Sequence, residues 1–368
     1  MRKRWFIIIA NIVALLLVLT AAWWLMFGKD WYEKRISNEK PVGEHPELNW
    51  SAWIADWDWQ TGEEHALQQI EGMGSLQLFV GYFDEQGQVI WGDQQQQAVA
   101  SIKQKIAQLN EQRASKKQSA LEPKLYLTLV NDMRLADGSS VQKSSELVGQ
   151  MLTSQQVQSD YIEQFIALVK EHELDGLEMD FENIDEQLWP ELLEFYRKLY
   201  RRIHEEQLEL RILLEPKAKF ESFELPEGPQ YVVMAYNLFG PHSGPGPKAN
   251  LSFIGKLTAR MEHIPGEPAV AIATGGFQWD QANKVKSLTE QEIDELIITH
   301  GVKVAHDEES GAKHFTYKQD GQSFEVWYAD GETLQFWAEA IQQRGFHQLA
   351  LWRLGNISDL TLERLRQL

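Results

Sequence analysis

Leu174-Asp175-Gly176-Leu177-Glu178-Met179-Asp180-Phe181-Glu182-Asn183 places carboxylates at Glu178, Asp180 and Glu182, with Leu177, Met179 and Phe181 between them. Alternate side chains of a β-strand share a face, so the stretch predicts one acidic row and one apolar row. Acids crowded on one face repel, which favours a retained proton on the innermost. A protonated carboxyl beside an ionised one is what glycosidic bond cleavage needs. Two other readings share the pattern. An ordinary half-exposed strand alternates in the same way. A carboxylate metal site is the third, but hard cations gather oxygen ligands from loops more often than from one flat strand. No metal and no cofactor are expected.

Working outward, eight apolar runs with strand character emerge: Trp50–Trp57, Leu76–Tyr82, Leu125–Val130, Leu174–Phe181, Arg211–Leu214, Tyr231–Tyr236, Ala269–Thr274 and Gln348–Trp352. Helical stretches separate them. Leu192, Leu193, Phe195, Tyr196, Leu199 and Ile203 follow helical spacing within Leu188–Glu206, as in a helix packed on a sheet. The alternation predicts an α/β fold, a closed (β/α)8 TIM barrel over residues 48–368. A doubly wound sheet would produce the same count. Between Thr274 and Gln348 the connection is too long for one helix. It holds a hairpin, His314–Lys318 and Phe324–Tyr328 around Asp320-Gly321, a strong turn signal. A helix over Thr333–Arg344 stops at Gly345. We read a small α+β insertion within 280–346, before the last strand.

Arg2, Lys3 and Arg4 precede an uncharged run from Trp5 to Phe27. As a helix it would span roughly 34 Å, enough to cross a bilayer. Residues 1–28 are therefore read as a single-pass transmembrane anchor and 29–47 as a polar tether. The basic end stays inside, which puts the barrel outside the cytoplasm at the cell membrane. A cleaved signal, giving a secreted protein, is the alternative. The formal charge of -19 excludes nucleic acid as a partner, since that needs clustered Lys and Arg. It suits a neutral polymer such as a glycan. The chain has no Cys, which removes disulfides and thiol chemistry. A monomer is expected.

Strand ends carry Trp57, Trp59, Tyr82, Phe83, Glu182, Lys217, Tyr236, Trp279 and Trp352. In a barrel these converge on one mouth. Aromatic faces with a few polar groups fit sugar rings, although burial in the core accounts for many aromatics equally well.

The chain resembles glycoside hydrolase family 18, the chitinase-like family, whose signature is Asp-Gly-x-Asp-x-Asp-x-Glu on the fourth strand. Asp175, Gly176, Asp180 and Glu182 match, and Glu178 stands where the family usually has Asp. Met234-Ala235-Tyr236 is similar to the Met-x-Tyr end of the sixth strand, and Leu351-Trp352 to the end of the eighth. Pro216-Lys217, Asn183, Ser243-Gly244-Pro245-Gly246-Pro247 and Ala350-Leu351-Trp352-Arg353-Leu354-Gly355 resemble the bacterial spore-cortex-lytic branch, which includes peptidoglycan N-acetylglucosaminidases. The resemblance covers roughly Asn49 to the C-terminus.

It implies a retaining hydrolase of N-acetylglucosamine-containing glycans that uses the substrate's own acetamide as nucleophile, an exception to the two-carboxylate scheme. On this reading Glu182 is acid and then base, Asp180 orients the acetamide, Tyr236 hydrogen-bonds it, and Trp352 floors the sugar. Asp175, Glu178, Met234, Asn237, Lys217, Trp57 and Tyr82 are further candidates for substrate binding. Asn237 replaces the Asp that commonly follows the sixth-strand Tyr. That departure keeps a second expectation open, a glycan-binding protein without catalysis. An envelope scaffold is a third.

Overall fold

The computed structural model describes residues 48–367. The anchor (1–28) and tether (29–47), and with them the membrane assignment, lie outside the described residues. Among the described residues no helix is long and apolar enough to cross a membrane.

Seven parallel strands come first: β1 (Asn49–Ala55), β2 (Met73–Phe83), β3 (Lys124–Arg134), β4 (Gly176–Asp180), β5 (Glu209–Leu214), β6 (Gln230–Met234) and β7 (Ala269–Ala273). A last strand covers Gln348–Leu354. β1 pairs with β2 on one side and with the last strand on the other, and each remaining strand pairs with its successor around to β7 and the last strand. The circle leaves no open edge, so this is a barrel and not a doubly wound sheet. Outside lie α1 (Trp59–Gln69), α2 (Asp93–Ser115), α3 (Ser145–Met151), α4 (Gln155–Glu171), α5 (Trp189–Glu205) and α6 (Leu251–Met261). In α5 the six apolar residues at helical spacing are all buried, each worth roughly 1.5–3 kcal/mol for the larger side chains.

Period-two alternation divides the core in two. Leu177, Met179 and Phe181 of the β4 segment face outward into the layer between strands and helices. The inner cluster holds Trp53, Phe79, Leu213, Met234 and Tyr236 against alanines 269, 271, 273 and 350. Small residues opposite large ones let the interior fill without voids.

Charges also sit inside. Glu178 is 0% exposed. Its Oε2 pairs with the Arg211 Nε at 2.8 Å, and its Oε1 accepts from Trp53 Nε1 at 2.6 Å and Thr128 Oγ1 at 2.8 Å. Arg211 also donates to Gln230 Oε1 at 2.9 Å. Four strands, β1, β3, β4 and β5, thus meet at one carboxylate.

The insertion is an antiparallel sheet of β8 (Gly275–Asp280), β9 (Val285–Leu288), β10 (Lys313–Gln319) and β11 (Gln322–Ala329), extended by a short Ala305–His306 pairing, with α7 (Glu290–His300) against it. It begins at Gly275, directly after β7, so the sequence boundary at 280 cuts through β8. The hairpin turns at Asp320 (φ 51°) and Gly321 (φ 78°), the left-handed pair that a two-residue loop requires. The helix assigned to the insertion, α8 (Gly331–Gln342), instead packs on α6, on β7 and on the terminal helix α9 (Asp359–Leu365). It is a barrel helix, leading into the last strand, β12. Glu290, in the first turn of α7, is buried and accepts from Thr274 Oγ1, Ser358 Oγ and Thr361 Oγ1, the last two at 2.7 Å.

Removing Glu178 leaves Arg211 charged and unpaired inside the barrel. Glu178→Ala is expected to cost about 3–5 kcal/mol of stability, read as a lower urea midpoint, with part recovered in the Glu178→Ala/Arg211→Met double variant. An unchanged midpoint in the single variant would refute this account.

Candidate active site

The acidic row of β4 points inward and climbs toward the mouth. Glu178 is at the bottom, Asp180 is 5% exposed, and Glu182, just past the strand end, keeps 17% of its side chain exposed. The backbone at Glu182 is clamped by one buried side chain of β3: Asn131 Nδ2 donates to its carbonyl at 2.8 Å, and Asn131 Oδ1 accepts from its N–H at 3.0 Å. Asn183 then turns the chain with φ 56°. Its N–H donates to Glu215 Oε2 at 2.6 Å, and its Oδ1 accepts from Lys217 Nζ at 3.1 Å.

Around Glu182 the charges are dense. Lys143 Nζ lies 2.5 Å from Glu182 Oε2. Burial pushes the Glu182 carboxyl above the usual range, Lys143 pulls it back, and Glu215 adds to the upward push. Burial raises Asp180 well above the usual carboxylate range, reinforced by Glu182 and Glu178. Asp180 Oδ1 has no hydrogen-bond partner in the structure. A buried polar atom without a partner is costly, and at a mouth it is a socket for a donor. Tyr236 closes the group. Burial first, then the nearby Asp180 and Glu182, hold its hydroxyl well above its ordinary value. Chemically this is a protonatable acid at the lip, an acid biased toward its protonated form beneath it and a phenol alongside, a set suited to general acid–base work.

Aromatics form the adjoining rim. Trp57 is 59% exposed, with its ring 6.3 Å from Trp352 and 5.6 Å from Phe79. Trp352 lies 5.9 Å from Trp53. Beside them opens a cavity of about 760 Å³ against the insertion, lined by Trp57, Trp352, Asn237, Lys248, Phe277 and Arg353 among others. Lys248 donates to the Thr274 carbonyl at 2.6 Å. Burial, with Arg353 nearby, pushes its amine down to about 7.

Several candidate residues land elsewhere. Asp175 sits at the opposite end of β4 from the mouth, where its carboxylate accepts from the Leu125 N–H at 2.8 Å. The neighbouring Gly176 is there for space, since a Cβ would lie 2.7 Å from the Tyr126 ring. The Asp-Gly half of the motif therefore seals the barrel floor. Glu178 is consumed by Arg211, Trp53 and Thr128 and cannot meet a ligand. Met234 is 3% exposed within the inner cluster. Tyr82 is 4% exposed. Its hydroxyl donates to Asp56 at 2.9 Å, and the Arg134 guanidinium covers its ring at 3.6 Å. Lys217 touches Asn183 and not Glu182. Of the other strand-end aromatics, Phe83 is buried in the outer core, and Trp279 lies in β8, donating to the Ser243 carbonyl at 3.2 Å.

Sequence reasoning missed Asn131, Lys143 and Glu215. Glu215 follows β5 directly, so the strand-end rule could have found it one step before Pro216-Lys217. Lys143 stands on a loop with no pattern of its own.

The sequence pattern of the glycosyl hydrolases family 18 matches residues 57–356. The chain belongs to glycosyl hydrolase family 18. That membership makes it a glycosidase. A relative described as the uncharacterized glycosylase YvbX of Bacillus subtilis (strain 168) is 20% identical over 238 residues, 60% of this chain and 69% of that protein. The cortical fragment-lytic enzyme of Bacillus cereus is 23% identical over 236 residues, 58% of this chain, and the match spans only 54% of that relative's length. The crystal structure of the Bacillus cereus spore cortex-lytic enzyme SleL superposes with a TM-score of 0.71 at 15% identity, over 88% of this chain and 75% of that one. At that identity the likeness shows the fold.

Asn131→Ala strips both clamps from the Glu182 backbone. The expected result is a loss of about 1–3 kcal/mol in stability and a fall in kcat on the order of 10²-fold from misplacement of Glu182. Activity assays and urea unfolding of the same preparation check it, and wild-type kcat in the variant would overturn the clamp's role.

Proposed function

We propose that the protein is a retaining hydrolase of N-acetylglucosamine-containing envelope glycans, working by substrate-assisted catalysis. The observation that carries this is Asp180: a buried carboxyl with an unpartnered oxygen, directly beneath a glutamate at the barrel mouth. An acetamide N–H is the donor this socket lacks. Held there, the acetamide oxygen is turned toward the anomeric carbon, and its attack forms a cyclic oxazolinium-like intermediate. Glu182 gives its proton to the leaving oxygen. It then takes one from the water that opens the intermediate, with net retention. Tyr236 donates to the acetamide carbonyl, and Trp352 underlies the sugar ring.

The substrate class draws support from the cortical fragment-lytic relative. The basic-flanked apolar run before Phe27 supports an enzyme tethered at the membrane, with the barrel outside the cytoplasm. The departure at Glu178 is harmless on this reading, because its extra methylene serves the Arg211 pair and leaves Asp180 unobstructed.

Glu182→Gln is expected to lower turnover of N-acetylated oligosaccharides by about 10²–10⁴-fold, the usual weight of a general acid–base, while binding persists in calorimetry. Deacetylated oligomers should bind without being cleaved by the wild-type enzyme. Full activity in the variant, or equal cleavage of deacetylated substrate, contradicts the assignment.

A further inference from the structure

The Glu182 carboxyl is flanked by two charged groups to which the reaction above assigns no task. Lys143, from the loop after β3, sets its ammonium 2.5 Å from Oε2. Its own backbone is pinned, with φ 53° and its N–H donating to Asp132 Oδ1 at 2.7 Å. Glu215, at the end of β5, is held beside Glu182 by the N–H of the next residue, Asn183, and its carboxyl pushes Glu182 upward. It is fixed by the Asn183 N–H at 2.6 Å and lies 3.4 Å from Lys217. The other titratable groups around this centre are Asp180 below, Asp132 beside Lys143, Lys217 behind Glu215, and Tyr236 from the end of β6.

We propose that Lys143 and Glu215 are opposed positioning residues that set the pH range over which Glu182 carries its proton. The proposal rests on Glu182 being the acid/base. An ammonium in contact with a carboxyl favours the ionised form, and a second carboxylate nearby disfavours it. The two neighbours therefore act with opposite sign on one group. Lys143 alone would leave the resting enzyme with an ionised Glu182, ready to activate water but unable to protonate a leaving group. Glu215 offsets that bias and keeps the acid form accessible. Both residues come from loops that follow strands other than β4, so this tuning is separable from the acidic motif itself.

The alkaline limb of the kcat/KM profile reports deprotonation of the acid in the free enzyme. On a soluble N-acetylated chitooligosaccharide, Lys143→Met should move that limb to higher pH and Glu215→Gln should move it to lower pH, each by about one unit. Lys143→Arg keeps the charge and should leave the limb near its wild-type position. Circular dichroism checks folding, and Lys143→Gln stands in if the Met variant does not fold. Limbs that stay in place, limbs that move in the same direction, or a uniform fall in rate at all pH values would each overturn the proposal. Failure of the underlying reading is distinguishable, because it would appear as retained turnover in Glu182→Gln.

Discussion

Everything at the mouth of this barrel stands on the ion pair between Glu178 and Arg211. Two opposite charges inside a barrel are expensive to desolvate, and they persist only when every lone pair and proton has a partner. Here Trp53 and Thr128 donate to Glu178, and Arg211 reaches Gln230 and Ser51 as well. The pair ties together strands that are far apart in sequence, and it determines what lies above it. With its counter-charge spent on Glu178, Arg211 has nothing to offer Asp180. The next acid on the strand, Asp180, has no salt-bridge partner among the described residues, and burial, then Glu182 and Glu178, raise it well above the usual carboxylate range against the opposing pull of Lys143.

The site is a short stack of carboxyls with decreasing burial. The lowest is paired with an arginine, the middle one is biased toward its protonated form by burial, and the uppermost is paired with a lysine while a second glutamate opposes that pairing. Each level uses a different remedy for the same repulsion. This gradient arises because an inward-facing residue recurs every second position along a strand, each step nearer to solvent than the last.

Much of this was legible in the sequence, for one physical reason. A strand buried on both faces still alternates when its inner face carries chemistry, so β4 declared both its rows, and the eight strands announced themselves by composition. What the sequence hid was which strand end a residue occupies and what arrives from across the barrel. Asp175 and Glu182 belong to one motif, yet one lies at the floor and the other at the mouth. Tyr82 ends a strand as Trp57 nearly does, but Arg134 covers the first while the second keeps 59% of its surface exposed. Lys143 meets Glu182 across 39 residues of chain, a closeness created by barrel closure that no local pattern records. The insertion boundary failed for a related reason: β8 follows β7 after a single residue, so the change from barrel to antiparallel sheet leaves no gap to read.

Glu290 bears on how firmly the insertion is held. Its carboxylate fastens the insertion helix to Thr274 at one end of the insertion and to Ser358 and Thr361 beyond β12. Swinging the insertion away would strip a buried acid of all these donors at once. The wall that faces Trp352 is therefore braced like the fixed jaw of a vice, held to the barrel by a buried carboxylate.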